Sequence, residues 1–250
     1  MRSISNPDIE ERAKKIIFSL YEHGMIRTWY RHKPEGWILL SGIWSPFYIQ
    51  LRTVCSYPSV LNEIGEVMSQ LLRENVPKAT RMVGIAMTGI PIAVATSLVS
   101  GLPSAFTRKI EMGDSSQKTP KQYGEHSSIE GELLENDDIV LIDDVVTKFD
   151  TKLQAFIQVR REVEERGLKN TKCDHVVVVL DREQGAAEAA KAANISLHSL
   201  IQFRSKGLEW LSSRMAPLEW QVIKDYLKNP EKYQGINTRR ELAKKAQVGK

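Results

Sequence analysis

Residues 139–152 read IVLIDDVVTKFDTK. An apolar run leads directly into two adjacent aspartates, Asp143 and Asp144, and a short polar turn separates them from a helical pattern. A continuous apolar run of this kind is typical of a strand buried on both faces of a parallel sheet. The stretch therefore predicts a buried strand that ends in an acid pair and turns into a helix.

Strand and helix patterns alternate along the rest of the chain. The predicted strands lie at 81–87, 104–110, 138–145, 173–181 and 196–203, and the predicted helices lie at 8–21, 59–75, 90–101, 152–167 and 185–194. This alternation predicts an α/β fold with a doubly wound, mostly parallel sheet flanked by helices.

Composition limits the classes of protein that fit. The chain has 250 residues with 42% hydrophobic and 26% charged residues, and its net charge of +4 is too small to indicate a nucleic-acid partner. Cys55 and Cys173 are far apart without metal-ligand spacing, so we expect a reducing, cytoplasmic location. The most apolar stretch, 89–103, is too short to span a bilayer, so we expect no membrane partner.

Three strand ends are candidate binding positions, because open α/β sheets bind ligands beyond the carboxyl ends of their strands. The first carries Thr88 and Gly89 at a helix start, which presents free N–H groups to an anion. The second carries the acid pair and the turn at 147–151, and the third carries Asp181 and Arg182. Each alone also fits ordinary turn geometry, helix capping or a local ion pair. Together, two anion-binding helix starts and an acid pair suited to a ribose indicate a phosphorylated sugar.

These residues carry a resemblance to a known family. IVLIDDVVT resembles the phosphoribosyl diphosphate signature of type I phosphoribosyltransferases. The stretches LLSGIWSPFYIQLR (39–52), VGIAMTGIPIA (83–93) and VVVVLDREQG (176–185) look like the orotate phosphoribosyltransferase family. The resemblance covers about residues 37–203. It implies a small N-terminal hood at 1–60, a core at 61–234 with a lid loop at 108–131, and a basic tail at 235–250.

The resemblance also implies roles for particular residues. Asp143 and Asp144 would accept hydrogen bonds from the ribose hydroxyls and favour positive charge on the departing sugar. The implied ligand-binding residues are Thr147, Lys148 and Thr151 for the sugar phosphate, Thr88 and Gly89 for the diphosphate, Arg182 for the orotate carboxylate, and Phe47 or Tyr48 for the pyrimidine ring. Mg²⁺ is implied as the ion that neutralises the leaving diphosphate.

The polar loop resembles the family's lid. Such lids carry an Arg-Lys pair and, further on, Lys-x-His-Gly, and they deliver cations to the neighbouring subunit of a homodimer. Arg108 and Lys109 match the first part, and Lys121 matches the lid lysine that would stabilise transition-state charge. Tyr123 stands where the family has histidine, and His126 is a possible substitute.

The phosphate loop departs from the family pattern. Phe149 replaces a glycine, and a phenylalanine does not readily adopt positive φ. Asp150 adds negative charge where a phosphate should bind, and Leu40 replaces a lysine of many relatives. Two functions therefore stay open: an active orotate phosphoribosyltransferase with a variant loop, which we favour, and a non-catalytic relative that binds nucleotides and regulates. A transferase for another base is a weaker third option.

Overall fold

A computed structural model describes residues 6–39, 41–109 and 127–248 of the chain. The helices are α1 Pro7–Glu22, α2 Pro58–Asn75, α3 Gly89–Ser100, α4 Asp150–Glu165, α5 Ala186–Ala192, α6 Leu208–Trp210, α7 Pro217–Lys228 and α8 Ile236–Val248. The strands are β1 Ile26–Thr28, β2 Trp37–Ile38, β3 Trp44–Ser45, β4 Phe47–Ile49, β5 Arg81–Gly84, β6 Ser104–Thr107, β7 Ile129–Glu130, β8 Asp138–Val146, β9 Lys172–Asp181 and β10 Ser196–Gln202.

A six-stranded sheet organises the described part of the chain, with the strand order β10-β9-β8-β5-β6-β7. Strands β10 to β6 run parallel to their neighbours, and β7 is antiparallel to β6. The carboxyl ends of β5, β8 and β9 therefore meet at one edge of the sheet, as the sequence predicts.

Helices cover both faces of this sheet. Alternate residues of β8 and β9 point to opposite faces, because side chains of a strand alternate in direction. Val140, Ile142, Val177 and Val179 share one apolar cluster with residues of α1 and α2. Ile139, Leu141, Val176 and Val178 share the other cluster with residues of α4 and α5. The predicted doubly wound architecture is confirmed.

The N-terminal region packs onto the carboxyl-terminal helices. The side chain of Asn6 caps α1 by accepting a hydrogen bond from the backbone N–H of Asp8. Two small antiparallel pairs, β1 with β4 and β2 with β3, follow this helix. The buried carboxylate of Glu219 on α7 accepts hydrogen bonds from the hydroxyls of Tyr21 and Thr28, so it ties α7 to α1 and β1.

Several element boundaries differ from the sequence prediction. Strand β5 ends at Gly84 rather than at 87, because the chain must turn at once into α3. Strand β8 continues to Val146, one residue beyond the predicted end at 145, and Val146 still pairs with β9. Residues 129–130 of the predicted lid loop form β7, and most of the basic tail forms α8.

The helices of the described ranges include none with the length and apolar character required to cross a bilayer.

Candidate active site

The turn between β5 and α3 packs closely on the end of β8. A Cβ added to Gly89 would lie 2.4 Å from the carbonyl oxygen of Ile142 and 3.1 Å from the Cα of Asp143. Only glycine fits this contact, because any side chain would collide with strand backbone. The close approach brings Thr88 and the first turn of α3 beside the acid pair.

The two aspartates have different environments. Asp143 is buried, and its Oδ1 accepts a hydrogen bond of 2.8 Å from the backbone N–H of Asp144. Asp144 is half-buried, and its Oδ1 accepts a hydrogen bond of 2.7 Å from the backbone N–H of Val145. Burial raises the pKa of Asp143 above its usual range, while Lys152 opposes the shift and Asp144 adds to it. Asp144 is therefore the more accessible carboxylate of the pair.

Lys152 is a site residue that the sequence reasoning missed. It lies in the first turn of α4, and its Nζ is 2.7 Å from Oδ2 of Asp143. The sequence does contain a sign of its burial: residues 152, 155, 156 and 159 follow the i, i+3, i+4, i+7 spacing of a buried helix face. A lysine in that pattern indicates a buried partner.

The predicted phosphate loop keeps a glycine-like backbone despite its aromatic residue. Phe149 has φ 82°, and α4 begins at the next residue. Its ring is turned away into the apolar cluster under the sheet, where 2% of the residue is exposed. The ring therefore does not fill the space above the loop, contrary to the expectation that phenylalanine would disturb this turn. Thr147 is half-buried, and Lys148 and Thr151 are exposed.

A cleft of about 940 Å³ joins two of the three strand ends. Its acidic wall is Asp143 and Asp144, and its cations are Arg52, Lys109 and Lys152. The remaining lining comes from Cys55, Leu61, Ala86, Met87, Thr88, Ile90, Pro91, Val94, Ala95, Leu98 and Thr151. The sequence reasoning missed Arg52 as well, which follows β4 without a distinguishing pattern. A cleft lined by both carboxylates and cations suits a ligand that carries both hydroxyls and phosphates.

The third strand end lies beside the cleft and does not line it. The guanidinium carbon of Arg182 is 5.0 Å from the centre of the Phe47 ring, and 8% of Arg182 is exposed. Its Nε and Nη2 have no hydrogen-bond partner among the described residues, and burial lowers its pKa. Tyr48 is half-buried and stacks on Trp37. An unpaired buried guanidinium is costly, so this position is suited to an anionic ligand group.

The base of the predicted lid is tied to α4. The backbone N–H of Arg108 donates to the carbonyl of Ser128, and the Gln158 side chain donates to the carbonyls of both residues. Nη1 of Arg108 is 3.2 Å from Oε1 of Glu130, so this arginine is engaged at the edge of the sheet. Lys109 lines the cleft.

Four residues singled out from the sequence lie outside the described part of the chain: Leu40, Lys121, Tyr123 and His126.

Within residues 6–39, 41–109 and 127–248, no group of three histidine, cysteine or acidic residues is arranged to hold a metal ion. A metal ion bound in this cleft would therefore take most of its ligands from substrate oxygens and water, which is the usual habit of Mg²⁺.

The sequence and the fold of the chain were compared with those of known proteins. No protein-family model matches the chain. The orotate phosphoribosyltransferase of Methanocaldococcus jannaschii is 31% identical over 191 residues, covering 76% of this chain and 94% of the relative. The orotate phosphoribosyltransferase of Methanosphaera stadtmanae is 34% identical over 188 residues, covering 75% of this chain and 92% of the relative.

The crystal structure of orotate phosphoribosyltransferase from Francisella tularensis superposes with a TM-score of 0.63 at 19% identity, covering 91% of this chain and 97% of that one. At this identity the likeness establishes the fold.

Proposed function

The chain belongs to the orotate phosphoribosyltransferase family, and from this membership and its cleft we infer that it transfers ribose phosphate from phosphoribosyl diphosphate to orotate. The products are orotidine monophosphate and diphosphate, so the enzyme serves pyrimidine nucleotide biosynthesis. The observation that carries this inference is the acid pair at the end of β8, which lines one cleft together with Arg52, Lys109 and Lys152.

The acid pair suits the sugar. The half-buried Asp144 accepts hydrogen bonds from the ribose hydroxyls, and charge-assisted bonds of this kind orient the ring. The negative charge of the pair also favours the cationic character that the sugar gains as diphosphate leaves.

The loop at 147–151 suits the sugar phosphate. The first N–H groups of a helix have no partner within it, so the start of α4 offers donors and a positive dipole end to the phosphate. Thr147 and Thr151 add hydroxyls, and Lys148 offsets the charge of Asp150. The positive φ of Phe149 supports this assignment, because the backbone keeps the bend that a glycine would give.

We assign the diphosphate to the turn that carries Thr88 and Gly89, with Arg108 and Lys109 as its cations; of these two, Lys109 lines the cleft. We assign to Lys121 the role of stabilising the negative charge that develops on the diphosphate as it leaves. Mg²⁺ supplies further charge neutralisation when it is bound to the diphosphate oxygens.

Orotate lies toward the third strand end. Arg182 there offers unpaired donors to the orotate carboxylate, and Phe47 holds its guanidinium from below. Tyr48 is the more accessible of the two aromatic residues, so it is the better candidate for contact with the pyrimidine ring.

We also propose that the enzyme is a cytoplasmic homodimer that shares its lids. Both cysteines are free thiols, which fits a reducing compartment. Val94 and Leu98 on α3, at the lining of the cleft, are 46% and 83% exposed. A helix without charged residues is normally buried on all sides by other parts of the protein or by a partner. We therefore assign a second copy of the chain as the partner that covers this face of α3.

An assay of purified protein with orotate, phosphoribosyl diphosphate and Mg²⁺ tests the function. We expect consumption of orotate, and we expect Asp144→Asn and Lys121→Ala each to lower kcat/KM by about 100-fold or more. Asp174→Asn and Lys169→Ala are matched controls outside the cleft. Binding of phosphoribosyl diphosphate without any consumption of orotate would instead support the non-catalytic, regulatory alternative.

A further inference from the structure

The inward face of α4 contains a lysine at a position that the helix otherwise fills with apolar residues. Lys152 shares this face with Ala155, Phe156 and Val159, and 6% of the residue is exposed. Burial of an ammonium group is strongly unfavourable unless the group is paired and hydrogen-bonded. Its partners should therefore explain its presence.

Lys152 makes two short contacts, both with the end of β8. Its Nζ is 2.7 Å from Oδ2 of Asp143, and it donates a hydrogen bond of 2.5 Å to the carbonyl of Val145. The other oxygen of Asp143 accepts the backbone N–H of Asp144. Both oxygens of Asp143 are thus occupied by the protein itself, and its carboxylate is fixed in direction.

The charges around Asp143 make Lys152 its principal counter-ion. Asp144 on the same strand is a like charge, and α3, which packs against Asp143 through Gly89, carries no ionisable side chain. Arg52 and Lys109 line the same cleft. Neither of these two forms an ion pair with Asp143, whereas Lys152 does.

We propose that Lys152 is a positioning residue that keeps Asp143 ionised and fixed within β8, which leaves Asp144 as the carboxylate that meets the ribose hydroxyls. The proposal rests on the proposed transfer reaction, and it assigns unequal roles to the two aspartates. A neutral Asp143 would need a proton at one oxygen, which conflicts with the N–H and ammonium donors on both sides. Loss of the lysine would therefore release the carboxylate from its position.

A purely structural role is the competing explanation. Lys152 also satisfies the carbonyl of Val145, and its loss would then lower stability without altering how the enzyme responds to pH. The pH dependence of kcat/KM separates the two roles, because it reports ionisation of groups in the free enzyme.

The test compares wild type with Lys152→Met, which keeps the apolar stem and removes the charge. We expect the acidic limb of the kcat/KM profile to move upward by about one pH unit or more, because Asp143 loses its nearest opposite charge. Lys152→Arg keeps a cation and is expected to leave the limb close to its wild-type position. Lys191→Met on α5 is the control for loss of an exposed lysine. An acidic limb that stays in place in Lys152→Met would overturn the proposal, whatever the change in stability.

Two further measurements keep the test decisive. Lys152→Gln retains a donor for Val145 and replaces Lys152→Met if that variant does not fold. Titration of the Asp143 carboxyl followed by NMR needs no turnover, so it distinguishes failure of this proposal from failure of the proposed reaction. We expect Asp143 to take up a proton at a higher pH in the lysine variant than in wild type, and identical titrations would refute the role of Lys152.

Discussion

Phe149 combines two properties that usually belong to different residue types. Its backbone has the positive φ of a glycine, and its ring is part of the apolar core under the sheet. Left-handed backbone costs a non-glycine residue roughly 1–2 kcal/mol, whereas removal of a buried phenylalanine ring costs about 3–5 kcal/mol. Ring burial is the larger effect, so the strained conformation persists.

Substitution of Phe149 tests this balance. We expect Phe149→Gly to lower the free energy of unfolding by about 2–4 kcal/mol, since the lost ring outweighs the relieved strain. Phe149→Ala loses the ring and keeps the strain, so it should be less stable than the glycine variant by roughly 1 kcal/mol. Chemical denaturation of the three proteins gives both differences. An alanine variant as stable as the glycine variant would show that the backbone at 149 is unstrained.

The sequence identifies the acidic residues of the site better than their partners. Asp143 and Asp144 are recognisable because they end an apolar run and stand beside two further strand ends that suit a phosphorylated sugar. Lys152 and Glu162 are charged residues within the buried face of α4, and their roles depend on Asp143, Ser127 and Ser128. Those partners are distant in sequence or on another element, so spacing alone does not identify them.

At the scale of elements, α4 connects the phosphate loop to the edge of the sheet. Its first turn holds Lys152 beneath the acid pair, and its last turns hold Glu162. The Glu162 carboxylate accepts hydrogen bonds from both hydroxyls of Ser127 and Ser128, and from Arg166. Burial raises the pKa of Glu162, but these donors more than offset it and lower the pKa to about 2.

This pKa predicts a specific acid sensitivity. Because the folded-state pKa lies below the unfolded value, the stabilisation is present above about pH 4.5 and is lost as the pH falls toward 2. We expect wild type to exceed Glu162→Gln in free energy of unfolding by roughly 2 kcal/mol at pH 7, and the difference to vanish near pH 2. Glu165→Gln, an exposed change on the same helix, should show little difference at any pH. A pH-independent difference for Glu162→Gln would contradict the assignment.

The type of the predicted elements and most of their bounds were predictable to within about two residues, but the ends of β5 and β6 were not. The valine run of β9 and the helical spacing of α2 indicate their structures directly. The early end of β5 depends on the contact of Gly84 with the start of α3, where a Cβ would lie 2.9 Å from the carbonyl oxygen of Gly89. The extension of β8 depends on pairing of Val146 with Asp181. Both are contacts between elements, which local patterns do not contain.

Among the residues that the structure describes, the face of α3 that carries Val94 and Leu98 is apolar and exposed. The architecture was predictable because α/β alternation admits few topologies. The strand order and this uncovered face follow from long-range packing.

A charge on that face tests the homodimer. We expect wild type to sediment as a dimer at micromolar concentration and Leu98→Asp to sediment as a monomer, because burial of a carboxylate without a partner opposes association. Leu134→Asp places the same charge on another exposed leucine and should leave the dimer intact. Wild type that sediments as a monomer would remove the support for shared lids.

The turned-in ring of Phe149 also constrains how this chain can change over evolutionary time. The ring of Phe149 fills space in the core, while its backbone has the positive φ that glycine adopts easily. Replacement by glycine would relieve the backbone strain and leave a cavity in the core. A neighbour such as Ala155, which belongs to the same cluster, would have to enlarge in compensation. Positions 149 and 155 are therefore coupled: a glycine at 149 keeps the core filled only if a second residue of the cluster becomes larger.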